Sequence, residues 1–324
     1  MQHCLFQYTS HDRGMDEPRA ILSMSSPLSK RRLAAPVQLR RDLVVIPTYN
    51  EQSNLTAISQ AVLVAAPSVD LLIVDDCSPD GTGQLAEKLA KTNERGRGYG
   101  RGRIHVLHRR GPRGLGAAYM AGFRWALREG YQRIVQMDAD FSHDPAMIPA
   151  LLKLAETNDL VIGSRYCHGG RTVGWPRRRQ WLSFSANLYA RSLLGSRIHD
   201  LTAGFRCWRR ELLEHIDFAS LTSDGYEFQV EMGYLAELAG SQTPEGVRIC
   251  EVPITFTERH DGTSKMTPQV AKRAAWNILY LGWNRLCGRR HVALLPRKTK
   301  PKQRTVLPLE NEGCFVGGIK NAGC

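Results

Sequence analysis

Carboxylates that close apolar runs are the first chemistry legible in this chain. "IVQMDADFSHDP", residues 134 to 145, passes from Ile134, Val135 and Met137 straight to Asp138 and Asp140. Two comparable turns precede it, "PTYNE" at 47 to 51 and "VDDCSPDGT" at 74 to 82, each at the end of its own apolar run. Mg2+ and Mn2+ prefer carboxylate and phosphate oxygens and usually borrow only one or two protein ligands, so a paired carboxylate suits a site that binds a nucleotide diphosphate with a divalent cation. A turn or helix-capping role competes for every such Asp. That role is preferred for Asp144, which precedes Pro145, whereas the joint pattern of three turns assigns Asp138 and Asp140 to ligand binding.

Three distant turns converge only if a scaffold carries them to one place. "LVVIP" (43 to 47), "LLIVDD" (71 to 76), "IHVLHR" (104 to 109), the run ending at Asp138 and "LVIGSR" (160 to 165) read as strands. Between them, helical spacing marks 54 to 66, 82 to 92 and 117 to 130. Continuous apolar strands alternating with helices predict an α/β fold with a mainly parallel sheet covered on both faces, and ligands in such sheets bind beyond the carboxyl ends of the strands. Further on come a basic loop at 169 to 179, a helix from about 180 to 194, and a helix over 223 to 240 with Ser223 or Asp224 as N-cap. Residues 247 to 259 read as a strand pair or one bent strand, and the Gly/Arg-rich stretch 94 to 103 as a surface loop.

A chain of 324 residues, 42% hydrophobic, can bury a large core without cross-links. Its eight cysteines show no CxxC pair and no spacing for a zinc site, so they are expected to be reduced in a cytosolic protein. Residues 1 to 41 lack a signal-peptide pattern and read as a disordered leader, and no stretch approaches the roughly 20 apolar residues of a membrane-spanning helix. The formal charge is +13, over half of it between 285 and 324, where nine Lys and Arg face two Glu. Such an end can meet nucleic acid, anionic lipid or only water. The expected organisation is a leader (1 to 41), a catalytic domain (42 to 266), an amphipathic helix (267 to 290) and a basic tail (291 to 324).

"VVIPTYNEQSNL", "LLIVDDCSPDGT", "GLGAAYMAGFRWAL", "QMDADFSHDP", "LVIGSRYCHGG", "DLTAGFRCWRR" and "GYEFQVEM" together resemble family 2 glycosyltransferases of the GT-A fold. The likeness is strongest to dolichyl- or polyprenyl-phosphate mannosyltransferases and runs from about residue 43 to 285. It implies a Rossmann-like sheet and roles for matching positions. Pro47, Tyr49, Glu51, Asp75 and Asp76 correspond to base and ribose contacts, and Asp138 and Asp140 to the metal and diphosphate motif with Mg2+ or Mn2+ as cofactor. Two residues beyond the second Asp the mannosyltransferases often carry Gln; this chain has Ser142. Arg165, Arg179 and Ser183 correspond to acceptor-phosphate contacts, and Arg259 and Lys265 to a basic loop over the donor diphosphate.

The resemblance implies transfer of a hexose, mannose from GDP-mannose, to a dolichyl or polyprenyl phosphate at the cytoplasmic face of a membrane. A UDP-sugar such as UDP-glucose is the alternative donor. A phosphate acceptor has a second pKa near 6, so the nucleophile arrives deprotonated and one in-line inverting displacement needs no protein base. His143, His260 and Asp261 stay as spare candidates for a base or an orienting group. "PQVAKRAAWNILYLGWNRLCGRR" (268 to 290) sets Trp276, Leu279, Tyr280, Trp283 and Leu286 on one helical side. That side fits a membrane surface, with packing on the domain's own core as the competing reading. Attachment is then peripheral or through small membrane partner subunits. A nucleic-acid-binding role suits the Gly/Arg loop and the tail but not the acidic crevice, so no nucleic-acid partner is expected.

Overall fold

A computed structural model describes residues 41–94, 102–219, 221–223, 225, 227–241, 246–258 and 268–287. Residues 1–40 of the expected leader, most of the Gly/Arg-rich loop and the basic tail lie outside the described residues, as do Asp224, Arg259, His260, Asp261 and Lys265.

The chain runs β1 (Asp42–Thr48), α1 (Gln52–Ala65), β2 (Asp70–Asp75), α2 (Thr82–Thr92), β3 (Ile104–His108), α3 (Leu115–Arg128) and β4 (Arg133–Gln136). A short 3-10 turn (Pro145–Met147) leads into α4 (Ile148–Leu154) and β5 (Leu160–Ser164). Then follow β6 (Arg171–Val173), α5 (Arg177–Leu194), β7 (Arg206–Arg209), α6 (Arg210–Leu213), α7 (Glu227–Ser241), β8 (Ile249–Pro253), β9 (Thr255–Thr257) and α8 (Pro268–Leu286). Seven strands form one sheet in the order β3-β2-β1-β4-β7-β5-β8, and β6 and β9 form a small parallel pair. All pairings in the large sheet are parallel except those of β7, which is antiparallel to β4 and β5.

Side chains alternate along each strand, so each of the central strands feeds two cores. Leu43, Val45, Leu72, Val74 and Ile134 pack under α3, α5, α7 and α8. Val44, Ile46, Leu71, Ile73 and Val135 pack under α1, α2 and α4. The chain lays β2 and β3 to one side of β1 and then returns to place β4 on the other. That reversal makes the β1/β4 boundary the topological switch point, the place where ligands enter sheets of this kind.

Three expectations need correction. β7 was not expected, because "RCWR" begins and ends with Arg instead of being a continuous apolar run. Arg206 is nevertheless fully buried, donating to the carbonyls of Leu201 and Ala203, and burial pulls its pKa down to about 10. Arg177, Arg178 and Arg179 form the first turn of α5 and are not part of a loop, since Pro176 suits the residue before a helix. The helix expected from 223 starts at Glu227, and the Ser223 N–H donates to Glu231 further along it. Residues 247 to 259 follow the bent-strand reading, with β8 and β9 separated only by Ile254 and each joining a different sheet.

Candidate active site at the strand ends

The first two acidic turns are knitted together. Thr48 lies opposite Asp75 in the β1–β2 register, and the Asp76 N–H donates to Thr48 O at 3.0 Å. The N–H groups of Asn50, Glu51 and Gln52 donate across the gap to Ser78 Oγ, Thr82 Oγ1 and Asp80 Oδ2. Burial alone would raise the Asp80 pKa, but hydrogen bonds from Thr82 and Gln52 outweigh it and hold the carboxyl below its ordinary value. Asp75 is buried, its Oδ2 accepts from the Ser78 N–H, and its buried Oδ1 has no hydrogen-bond partner among the described residues. Asp76 pairs with Arg109 and accepts from the Gly114 N–H at 2.9 Å. Arg113 donates to the Tyr49 hydroxyl and lies over that ring, 4.6 Å from its centroid. Arg109 and Arg113 escaped the sequence reading, although the basic run that follows β3 was a usable signal.

The third turn holds its carboxylates differently. Asp138 Oδ1 accepts from the Tyr119 hydroxyl at 2.8 Å, and its backbone N–H donates to His143 Nδ1 at 3.3 Å. Asp140 Oδ1 accepts from the Ser142 N–H and hydroxyl at 3.1 and 2.6 Å, so an Asx-turn shapes the loop with one oxygen of a buried carboxylate. Asp144 caps the 3-10 turn through the Ala146 N–H. His143 is buried against Phe205 and Phe256. Burial lowers its pKa against the opposing pull of Asp138 and Asp140, which favours the neutral ring. Its Nδ1 is already an acceptor, so the ring fits an orienting group better than a base.

Among the described residues only Asn50, Cys77 and Phe141 are non-glycine residues with left-handed backbone, at φ 55, 57 and 58°. Each acidic turn contains one of them. Such conformations cost about 1–3 kcal/mol each and collect at ligand sites, where tertiary structure enforces them. Sequence spacing gives no sign of this strain.

Arg165 directly follows β5, and its guanidinium edge is occupied. Nε and Nη2 donate to Asp200 at 2.8 and 2.7 Å, Nη2 also reaches Thr202 Oγ1, and the Arg165 N–H bonds Asp200 as well. A buried guanidinium needs such a partner. Burial alone would raise the Asp200 pKa, and Arg165 outweighs it to hold the carboxyl low. Glu251 in turn accepts from the N–H groups of His199 and Asp200, fixing the turn that presents Asp200. Arg179 pairs with Glu258 at 2.8 Å and stacks on Trp175, which also lies beside Arg165. Tyr166, whose ring neighbours Arg165, donates to Ser183 Oγ at 2.7 Å. Arg165, Arg179 and Ser183 thus belong to one cluster joined by Tyr166 and Trp175. Asp200, unmarked in the sequence reading, is its hidden charge partner.

No group of three or more His, Cys, Asp and Glu side chains among the described residues is arranged to hold a metal ion alone. A cation completed by a diphosphate needs less. Asp138 and Asp140 supply hard oxygen donors, and Gly204 keeps the space beside Asp138 clear, since a Cβ there would stand 3.4 Å from Oδ2. This donor set fits Mg2+ or Mn2+.

Residues 43–217 match the family described as Glycosyl transferase family 2. Polyprenol monophosphomannose synthase of Mycolicibacterium smegmatis is 48% identical over 244 residues, 75% of this chain and 87% of that protein. Undecaprenyl-phosphate mannosyltransferase of Micrococcus luteus is 44% identical over 242 residues, 75% of this chain and 94% of that one. Among solved structures, glucosyl-3-phosphoglycerate synthase from Mycobacterium tuberculosis, in complex with Mn2+, UDP and glucosyl-3-phosphoglycerate, shares the fold. Its TM-score is 0.51 at 19% identity, covering 78% of this chain and 82% of that one. The family match spans β1 through α6 and all three acidic turns, and the chain belongs to glycosyl transferase family 2, with the GT-A fold.

Proposed function

We propose that this glycosyltransferase moves mannose from GDP-mannose to the phosphate of a polyprenol, with inversion at the anomeric carbon. The observation that carries this reading is the identity of 48% and 44%, over three quarters of the chain, to two relatives named for mannose transfer to polyprenyl phosphates. Pro47, Tyr49, Glu51, Asp75 and Asp76 take the nucleoside. The unpartnered Asp75 Oδ1 supports a base that offers an N–H donor, which guanine and uracil both do. Asp138 and Asp140 hold Mg2+ or Mn2+, which when bound supplies positive charge for the departing nucleoside diphosphate. By the resemblance, Arg259 and Lys265 belong to a basic loop that binds the same diphosphate.

Arg165, Arg179 and Ser183 receive the acceptor phosphate. The Asp200 partner keeps Arg165 rigid, while Arg179, only partly buried in its pair with Glu258, is placed to exchange that carboxylate for a phosphate oxygen. The acceptor brings its own deprotonated oxygen, consistent with the neutral, already bonded His143.

A polyprenyl acceptor requires a membrane surface, and no described helix is long and apolar enough to cross a membrane. α8 buries Ile278 and Leu281 in the core and exposes Trp276, Tyr280, Trp283 and Leu286. Beside it α5 exposes Trp181, Leu182 and Phe184. These faces support a catalytic domain seated peripherally on a membrane, alone or with small membrane partner subunits, and the resemblance assigns it the cytoplasmic side.

The test is transfer into an organic-extractable lipid by purified protein with Mg2+ or Mn2+, polyprenyl phosphate in detergent, and labelled GDP-mannose or UDP-glucose. Metal-dependent labelling from GDP-mannose is expected. Labelling only from UDP-glucose would replace the donor, and none from either would overturn the reading.

A further inference from the structure

We propose that Tyr119 is a positioning residue for Asp138, and that its hydroxyl sets how tightly the chain holds a divalent cation beside a nucleoside diphosphate. The inference rests on the reading of Asp138 as a metal ligand. Tyr119 is on α3, fully buried, and its ring stacks with Phe228 of α7 and with Phe123, with centroids 6.2 and 6.0 Å away. Gly116, one turn earlier, lets α7 approach so closely that a Cβ there would stand 2.9 Å from Phe228. With the ring held by two aromatic neighbours, the hydroxyl stands 2.8 Å from Asp138 Oδ1.

Packing alone does not call for that hydroxyl, because Phe would fill the same space and a buried hydroxyl is costly unless it is bonded. A carboxylate oxygen can only accept, so the phenol is the donor in this bond. The strand below is anchored in the same way. Gln136, two residues before Asp138, accepts from Trp208 Nε1 at 3.1 Å and donates to Gln229 Oε1 at 2.6 Å.

The kind of partner matters as much as its position. Asp76 and Asp200, two other carboxylates of the crevice, have arginine partners that offset their charge. Asp138 receives a neutral hydroxyl instead, which orients the carboxylate while leaving its negative charge for a cation. This is the arrangement by which an outer partner tunes a metal ligand, and loss of such a partner typically costs about 10- to 100-fold in metal affinity.

The experiment titrates MnCl2 into Tyr119→Phe by calorimetry, in the presence of GDP and separately of UDP, with wild type and Asp138→Asn alongside. About tenfold weaker Mn2+ binding is expected for Tyr119→Phe, with an unchanged melting temperature. In the transfer assay the metal concentration for half-maximal rate should rise while the rate at saturating metal recovers. Wild-type Mn2+ affinity in Tyr119→Phe, together with loss in Asp138→Asn, would overturn the role of the tyrosine alone. Wild-type affinity in Asp138→Asn would overturn the metal reading beneath it. Should Tyr119→Phe not fold, Phe228→Leu keeps the hydroxyl and loosens the ring. A severalfold loss of Mn2+ affinity is then expected, and unchanged affinity overturns the proposal.

Discussion

Replacing Asp140 by Asn separates its two jobs. The Asn carbonyl oxygen can still accept from the Ser142 N–H and hydroxyl, so the turn keeps its hydrogen bonds, while the charge offered to a cation is gone. Asp140→Asn should melt within a few degrees of wild type and lose transfer almost completely; retained transfer would remove Asp140 from the metal role. Asp200 presents the opposite balance. Its carboxylate is fully buried and takes three hydrogen bonds from Arg165, so Asp200→Ala strands a buried guanidinium. Breaking a buried pair from one side costs about 3–5 kcal/mol, which denaturant unfolding would read directly. An unfolding free energy within 1 kcal/mol of wild type, roughly the worth of an exposed pair, would show that solvent already reaches Arg165.

The strands carry a second kind of charge dependence, at the amino end of β2, opposite the acidic turns. Asp70 opens β2 and accepts from the Tyr131 hydroxyl at 2.6 Å and the Arg103 N–H at 2.8 Å, with His105 close by. Burial would raise its pKa, but these hydrogen bonds and the Arg103 charge outweigh it, so the folded value lies below the unfolded one, which is near 3.9. A depressed carboxylate stabilises the fold above its unfolded pKa, and that contribution fades as pH falls toward the folded value. Asp70→Asn should therefore flatten the loss of stability below about pH 4, as followed by melting temperature across pH; an unchanged acid limb would place the sensitivity elsewhere. The contrast among strands shows what was legible beforehand. β1, β2 and β5 are buried on both faces and read as unbroken apolar runs, so their ends, and the acidic turns there, could be found from spacing alone. β7 could not, because Arg206 is buried through carbonyls that only tertiary structure supplies. The Arg165–Asp200 pair, 35 residues apart, and the Tyr119–Asp138 bond, 19 apart, were hidden for the same reason. Local pattern locates a ligand-bearing turn but not the side chain that steadies it.

At the scale of the molecule, a formal charge of +13 accompanies two neighbouring helices that expose large aromatic residues. α5 and α8 are tied by the Tyr189 hydroxyl, which donates to Ala275 O at 3.2 Å, and by Gly282 packed against Leu193. Trp181 and Trp276 are 71 and 70% exposed, an unusual cost in water unless another phase covers them. Arg177 and Arg178 at the start of α5, with Lys272 and Arg273 on α8, are exposed as well, which adds attraction to an anionic headgroup layer. Hydrophobic insertion and charge attraction predict different responses to salt, because screening weakens only the second. Wild-type protein should therefore float with vesicles containing phosphatidylglycerol, more weakly in high salt but still measurably. Trp181→Ser combined with Trp276→Ser should lose the salt-resistant part while keeping transfer to a detergent-dispersed acceptor. Undiminished flotation of that double variant in high salt would remove these two helices from membrane binding, and loss of transfer in detergent would instead place the tryptophans at the acceptor site itself.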